Sequence, residues 1–143
     1  MSPMQKRGLS QYGKVAVGSE ASYASPHRLI QMLMEGALDK IAFSKGQIER
    51  NDFAEKGRNI TWAISIIQGL SASLDVESGG EIAANLEGLY DYMVRRLLEA
   101  NKTNDVEILE EVSSLLKEVK QAWDAMPADV KQNNHEAAAT SVG

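Results

Sequence analysis

From Ser25-Pro26 onward, apolar residues return every third or fourth position. This helical period recurs in four segments separated only by short polar stretches. No strand-period segment interrupts it, so a chain of this kind has little choice but to pack helices on helices. Ser25 is a good N-cap, Pro26 suits the first helical position, and Leu29, Ile30, Leu33, Met34, Ala37 and Ile41 then fall on one face. Met32 and Phe43 stand apart from that stripe.

The polar interruptions set the expected boundaries. A first helix is predicted over 26–50. Asn51 and Asp52 stop it, and Asp52 with Glu55 reads as a capping box for a second helix over 53–74. Ser78 with Glu81 repeats the arrangement and predicts a third helix over 79–100. Asn104 with Glu107 predicts a fourth, ended at Met126 by Pro127. Short connections favour antiparallel neighbours, so the expected fold is an all-α, antiparallel up-down four-helix bundle over 25–127. Residues 1–24, rich in Gly and Ser, have the composition of a mobile N-terminal arm in which Tyr12, Val15 and Val17 are the candidate anchors. Residues 128–143 read as a flexible, disordered tail.

Composition removes several function classes. The 143 residues suffice for one domain with its own core, and the absence of cysteine excludes disulfides, thiolate catalysis and Cys-type zinc sites. Nothing resembles a signal peptide or a bilayer-spanning stretch, so the expectation is a cytosolic protein with no direct membrane insertion. The net charge of −5 is uneven: residues 1–24 carry +2, while residues 76–126 carry five basic against eleven acidic groups. That balance argues against nucleic acid, which needs a basic face, and suits a neutral or basic polypeptide; solubility explains it equally well.

Catalytic signatures are missing. A di-iron bundle needs Glu-x-x-His pairs, but Ala24 precedes His27 at that spacing and Gln132 precedes His135. Phosphotransfer needs a histidine exposed in mid-helix, whereas His27 falls in a first turn and His135 in the tail. Gly79-Gly80 has no following Lys-Ser or Lys-Thr and is a turn, not a phosphate loop. Glu107, Glu110, Glu111 and Glu118 form an acidic face, and Arg95-Arg96 can pair with Asp91 or Glu99 at helical spacing. The chain is read as a non-enzyme with no catalytic residues, no metal and no cofactor.

What stands out instead is apolar width. A helix facing one core needs an arc of about 100°. Ile60, Ile64 and Ile67 with Ala63, Leu70, Ile66 and Trp62 give the second helix roughly 200° by wheel geometry. On the third helix Ile82, Leu86, Leu89, Met93 and Leu97 are widened by Ala83, Tyr90, Val94 and Leu98. The surplus calls for a cover: the arm, a second subunit or a partner helix. Gly36, Gly57, Gly69 and Gly88, each unfavourable inside a helix, fit either close helix packing or the approach of another backbone.

Several segments resemble the flagellar secretion chaperone family, FliS. They are Tyr12 in its arm, ASPHRLI at 24–30, QMLMEGAL at 31–38, GGEIAANLEGLYDYMVRRLLEAN at 79–101 and AWDAMP at 122–127. The resemblance implies a cytosolic four-helix export chaperone that binds the C-terminal segment of flagellin, prevents premature polymerisation and delivers it to the flagellar export gate protein. A monomer or weak dimer is expected. The arm of the family can occupy part of the binding surface when no client is present. With the apolar surplus, it predicts partner-binding roles for Trp62, Ile66, Leu70, Tyr90, Val94 and Leu98, placed by wheel geometry, and for Tyr12 in the displaceable arm. The alternative is a dimeric four-helix structural or adaptor module without a flagellin client.

Overall fold

A computed structural model describes residues 24–125. The arm with Tyr12, and the tail, lie outside them except for Ala24 at the boundary. Four helices follow one another: α1 (Pro26–Glu49), α2 (Phe53–Ala72), α3 (Val76–Thr103) and α4 (Val106–Ala125), with no strand among the described residues. The principal packing partners close a ring, α1 on α2, α2 on α3, α3 on α4 and α4 on α1.

The first helix starts as its sequence dictates. Ser25 Oγ accepts from the Arg28 amide at 3.1 Å, with Pro26 at the first position. Its end is a Schellman closure around Asn51 at φ 58°. The Asp52 amide donates to the Gln47 carbonyl at 2.8 Å and the Asn51 amide to that of Ile48 at 3.0 Å. This corrects the expected capping box. Asp52 completes α1, its side chain makes no cap bond to α2, and Glu55 pairs with Arg58 instead.

Two further boundaries differ from the sequence expectation for the same reason. Asn104 was expected to cap α4, but it ends α3 at φ 56°, a left-handed position that Asn tolerates, and Asp105 takes the cap, accepting from the Glu107 amide at 2.9 Å. At the other end α3 begins at Val76 because Asp75, not Ser78, is the cap. Its carboxylate accepts from the Glu77 and Ser78 amides at 3.1 and 3.2 Å. The expected stop at Gly80 survives as a kink, φ 60° and ψ −142°, inside one longer helix. Gly79 is also required, since a Cβ there would fall 2.5 Å from that of Ala83. α2 closes at Ala72, where the Ser73 hydroxyl turns back to the Leu70 carbonyl at 2.7 Å.

Cross-links run as an up-down arrangement requires. The start of α1 meets the end of α4 through Gln31 Nε2 to Asp124 Oδ1 (2.6 Å) and the His27 and Trp123 rings, 5.3 Å apart. Lys45 near the end of α1 pairs with Glu110 near the start of α4 at 3.4 Å. Lys56, at the start of α2, donates to the carbonyl and side-chain oxygens of Asn101, at the end of α3. Tyr92 and Arg96 of α3 hold the two oxygens of Glu111 on α4 at 2.7 and 2.8 Å. Arg95 pairs with Asp91 as its spacing predicts, whereas Arg96 reaches across to α4.

One continuous apolar cluster fills the centre, including Ile30, Leu33 and Ile41 of α1, Ile60 and Ile67 of α2, Met93 and Leu97 of α3, and Leu109 and Leu116 of α4. Met32, off the predicted stripe, is buried too, because α1 packs on both α2 and α4; Phe43 stays exposed.

Candidate functional site

The wide apolar arc of α2 has a structural explanation that a single-core wheel leaves out. α2 packs against α1 on one flank and α3 on the other, so its arc serves two seams and the centre. Ile66 and Leu70, counted as surplus on the wheel, are fully buried in the core cluster. Tyr90, on the widened side of α3, is also fully buried, and Val94 beside it is half-buried. Exposed apolar area remains at Trp62 (36 %) and Leu98 (55 %), and also at Phe43, Phe53 and Ile82. Tyr12 lies outside the described residues.

Trp62 does not stand alone. Lys40 reaches across from α1 and places its ammonium 4.5 Å from the Trp62 ring centroid and 5.7 Å from that of Phe43. A cation over two exposed aromatic faces holds them in register and keeps that apolar area solvated at its edge.

Tyr90 and Val94 come together elsewhere, in a cavity of about 390 Å³ between α2 and α3. Gln68 and Ser71 of α2 form one wall; Glu87, Gly88 and Asp91 complete the α3 wall. An apolar wheel overlooks this wall because most of its members are polar. The available signal was Gly88, a helix-interior glycine with no atom within 4 Å of where its Cβ would stand. Packing does not explain it. Gly57 comes nearer to the close-packing expectation, with Asn101 Oδ1 3.9 Å from its Cβ position, and Gly36 and Gly69 are buried.

The electrostatics of the cavity are those of acceptors. Glu87 and Asp91 lie four residues apart on one helix; Asp91 is paired with Arg95 at 3.2 Å, while Glu87 has no ion pair among the described residues. The Tyr90 hydroxyl is buried without a hydrogen-bond partner, and burial pushes its phenol well above the usual tyrosine range, so it stays protonated. Among the described residues no group of three or more His, Cys, Asp or Glu side chains is gathered as a metal site, and no helix is long and apolar enough to cross a membrane.

A family model described as "Flagellar protein FliS" matches residues 8–130 of this chain. The chain belongs to the FliS family. It is 50 % identical over 120 residues to the flagellar secretion chaperone FliSB of Pseudomonas aeruginosa, covering 84 % of this chain and 95 % of that protein. The flagellar secretion chaperone FliS of Vibrio cholerae is 39 % identical over 135 residues, 94 % of this chain and 96 % of the relative. FliS of Salmonella typhimurium is 48 % identical over 117 residues, 81 % and 87 % of the two chains. The bundle and its α2–α3 cavity are therefore features of a flagellar secretion chaperone family member.

Proposed function

We propose that this FliS-family chain is a cytosolic export chaperone. It holds the C-terminal segment of flagellin, prevents its premature polymerisation and delivers it to the export gate of the flagellar type III apparatus. The observation that carries this reading is the family match over residues 8–130, together with relatives named as flagellar secretion chaperones. The mechanism is sequestration with no bond made or broken. A flagellin segment unfolded when free folds as it binds, and the apolar area it buries offsets the entropy of ordering it.

Partner binding is assigned to Tyr12, Trp62, Ile66, Leu70, Tyr90, Val94 and Leu98. Their contributions differ in kind. Trp62 and Leu98 offer exposed area, Tyr90 and Val94 line the cavity, and Ile66 and Leu70 support that surface from the core. Tyr12 belongs to the arm that the partner displaces.

Calorimetry of the full chain against a peptide from the C-terminal end of the host's flagellin tests this. Micromolar or tighter binding is expected. The variants that report on it are Trp62→Ala and Leu98→Asp, because both positions are exposed and the fold tolerates them; a charge at buried Ile66 would unfold the bundle. Each should weaken binding while the circular dichroism stays unchanged. No heat at hundreds of micromolar peptide refutes the proposal. Sedimentation adds a second test, since a tight dimer occluding Trp62 and Leu98 is incompatible with a free client surface.

A further inference from the structure

Three features of the α2–α3 cavity point to a specific kind of occupant. The first is charge. Glu87 and Asp91 stand one helical turn apart on the same wall, a spacing at which like charges destabilise a helix. Arg95 relieves Asp91 from outside the cavity, at 3.2 Å, but no side chain among the described residues relieves Glu87. The second is access. Gly88 lies between the two carboxylates, and with no atom within 4 Å of its missing Cβ it leaves the wall open to an approaching chain. The third is an unmet hydrogen bond. Tyr90 lines the same cavity, is fully buried, and its hydroxyl has no partner. Buried polar groups are nearly always satisfied, and an exception invites a ligand.

The groups present favour a donor. Two carboxylates and a phenol oxygen accept hydrogen bonds, and the Gln68 amide oxygen and Ser71 hydroxyl on the facing wall can accept as well. An anion would meet only repulsion there, and an aliphatic side chain would leave the phenol unsatisfied. A long cationic side chain meets both needs. The cavity, about 390 Å³, is in the size range of small-ligand pockets and admits such a side chain with its last hydration waters.

We propose that this cavity is a specificity pocket for one lysine or arginine side chain of the bound polypeptide, its charge lying between Glu87 and Asp91 and one N–H donated to the Tyr90 hydroxyl. The proposal rests on the chaperone reading above and adds to it the residue that sets the client's register. An apolar helix face slides along a groove in steps of one turn with little penalty. One cation that must find one pair of carboxylates fixes a single position.

The test is calorimetry of the full chain with the flagellin C-terminal peptide at two salt concentrations, for the wild type, Glu87→Gln, Glu87→Lys and Tyr90→Phe. Glu87 is exposed and Tyr90→Phe keeps the ring, so folding, checked by circular dichroism, is retained. Glu87→Gln should weaken binding roughly tenfold, about 1.4 kcal/mol, and should lessen its salt dependence. Glu87→Lys should weaken it further, and Tyr90→Phe by a few-fold. Replacing the peptide's basic residues by glutamine one at a time should identify one position at which the Glu87→Gln effect disappears. If the wild type binds and all three variants bind within twofold of it, the cavity holds water only; this proposal then fails while the chaperone reading stands. If the peptide does not bind the wild type, both fail.

Discussion

Lys56 is the buried charge on which the join between α2 and α3 depends, and replacing it by methionine isolates what it does. The side chain is 6 % exposed, and its ammonium donates to the Asn101 carbonyl at 2.8 Å and to Asn101 Oδ1 at 2.9 Å. That carbonyl is one of the last four of α3, which have no partner inside their own helix, and a cation there also meets the negative end of the helix dipole. Methionine keeps the length and apolar stem but deletes the donors. A hydrogen bond from a charged donor is worth about 1.5–3 kcal/mol, so two suggest up to roughly 6 kcal/mol. Two effects reduce that sum. Methionine escapes the cost of desolvating an ammonium, and half-buried Asn101 regains water. The expected net loss is about 2 kcal/mol. Urea unfolding followed by circular dichroism measures it, and a cycle with Asn101→Ala should return a coupling of roughly 1 kcal/mol from the side-chain bond alone. Lys56→Met within about 0.5 kcal/mol of the wild type would show that the ammonium is replaceable by water and refute the reasoning.

Two other perturbations have signs that follow directly. The Arg96 and Tyr92 hydrogen bonds hold the Glu111 carboxyl below the usual glutamate range, so its contribution is complete above the unfolded-state value near pH ~4.3 and is lost as pH falls through the lower folded value. The stability gap between wild type and Glu111→Gln, measured by denaturant unfolding, should therefore be constant near neutral pH and close in acid; a gap independent of pH down to full protonation would contradict this. The same carboxylate raises the Tyr92 and Arg96 values, so both stay protonated across that window. Gly80→Ala and Gly88→Ala should move melting temperature in opposite directions. Gly80 sits at φ 60° and ψ −142°, where a Cβ is strained by about 1–3 kcal/mol, while open space beside Gly88 lets alanine gain about 0.8–1 kcal/mol of helix propensity.

The helices were legible from periodicity and the start of α1 from Ser25-Pro26, yet three of the four predicted caps fell on the wrong residue. The reason is common to Asp52, Ser78 and Asn104. Each lies in a stretch with more than one Asn, Asp or Ser followed at capping distance by an acidic residue, and which one caps depends on the neighbouring helix. Asn51 and Asn104 are taken by left-handed closures of the preceding helices, which leaves Asp52 to complete one of them and Asp105 to begin α4. Asp75 outcompetes Ser78 because Gly80 lets one helix continue through a kink. The candidate surface was half legible. Trp62 and Leu98 are exposed as surplus apolar residues should be, but the wheel could not show that α2 faces two neighbours, which places Ile66 and Leu70 inside. Glu87 and Asp91 escaped notice because a search for apolar surplus does not weigh acidic residues.

A core closed in this way constrains how the bundle can hold a partner. Re-exposing a fully buried isoleucine or leucine costs about 1.5–3 kcal/mol, so a client that pried α2 from α3 to reach Ile66 and Leu70 would forfeit several kcal/mol before making a contact. Folding the client also carries an ordering cost of about 2–5 kcal/mol. A partner that meets both costs at once needs a larger interface than one that docks on what is already displayed. The economical route uses the exposed rings and aliphatic groups at Trp62 and Leu98 for affinity and the acceptor-lined cavity for register. Folding and binding then draw on separate residues. Substitutions at Ile66 or Leu70 should lower stability and binding together, whereas those at Trp62, Leu98 and Glu87 should lower binding alone.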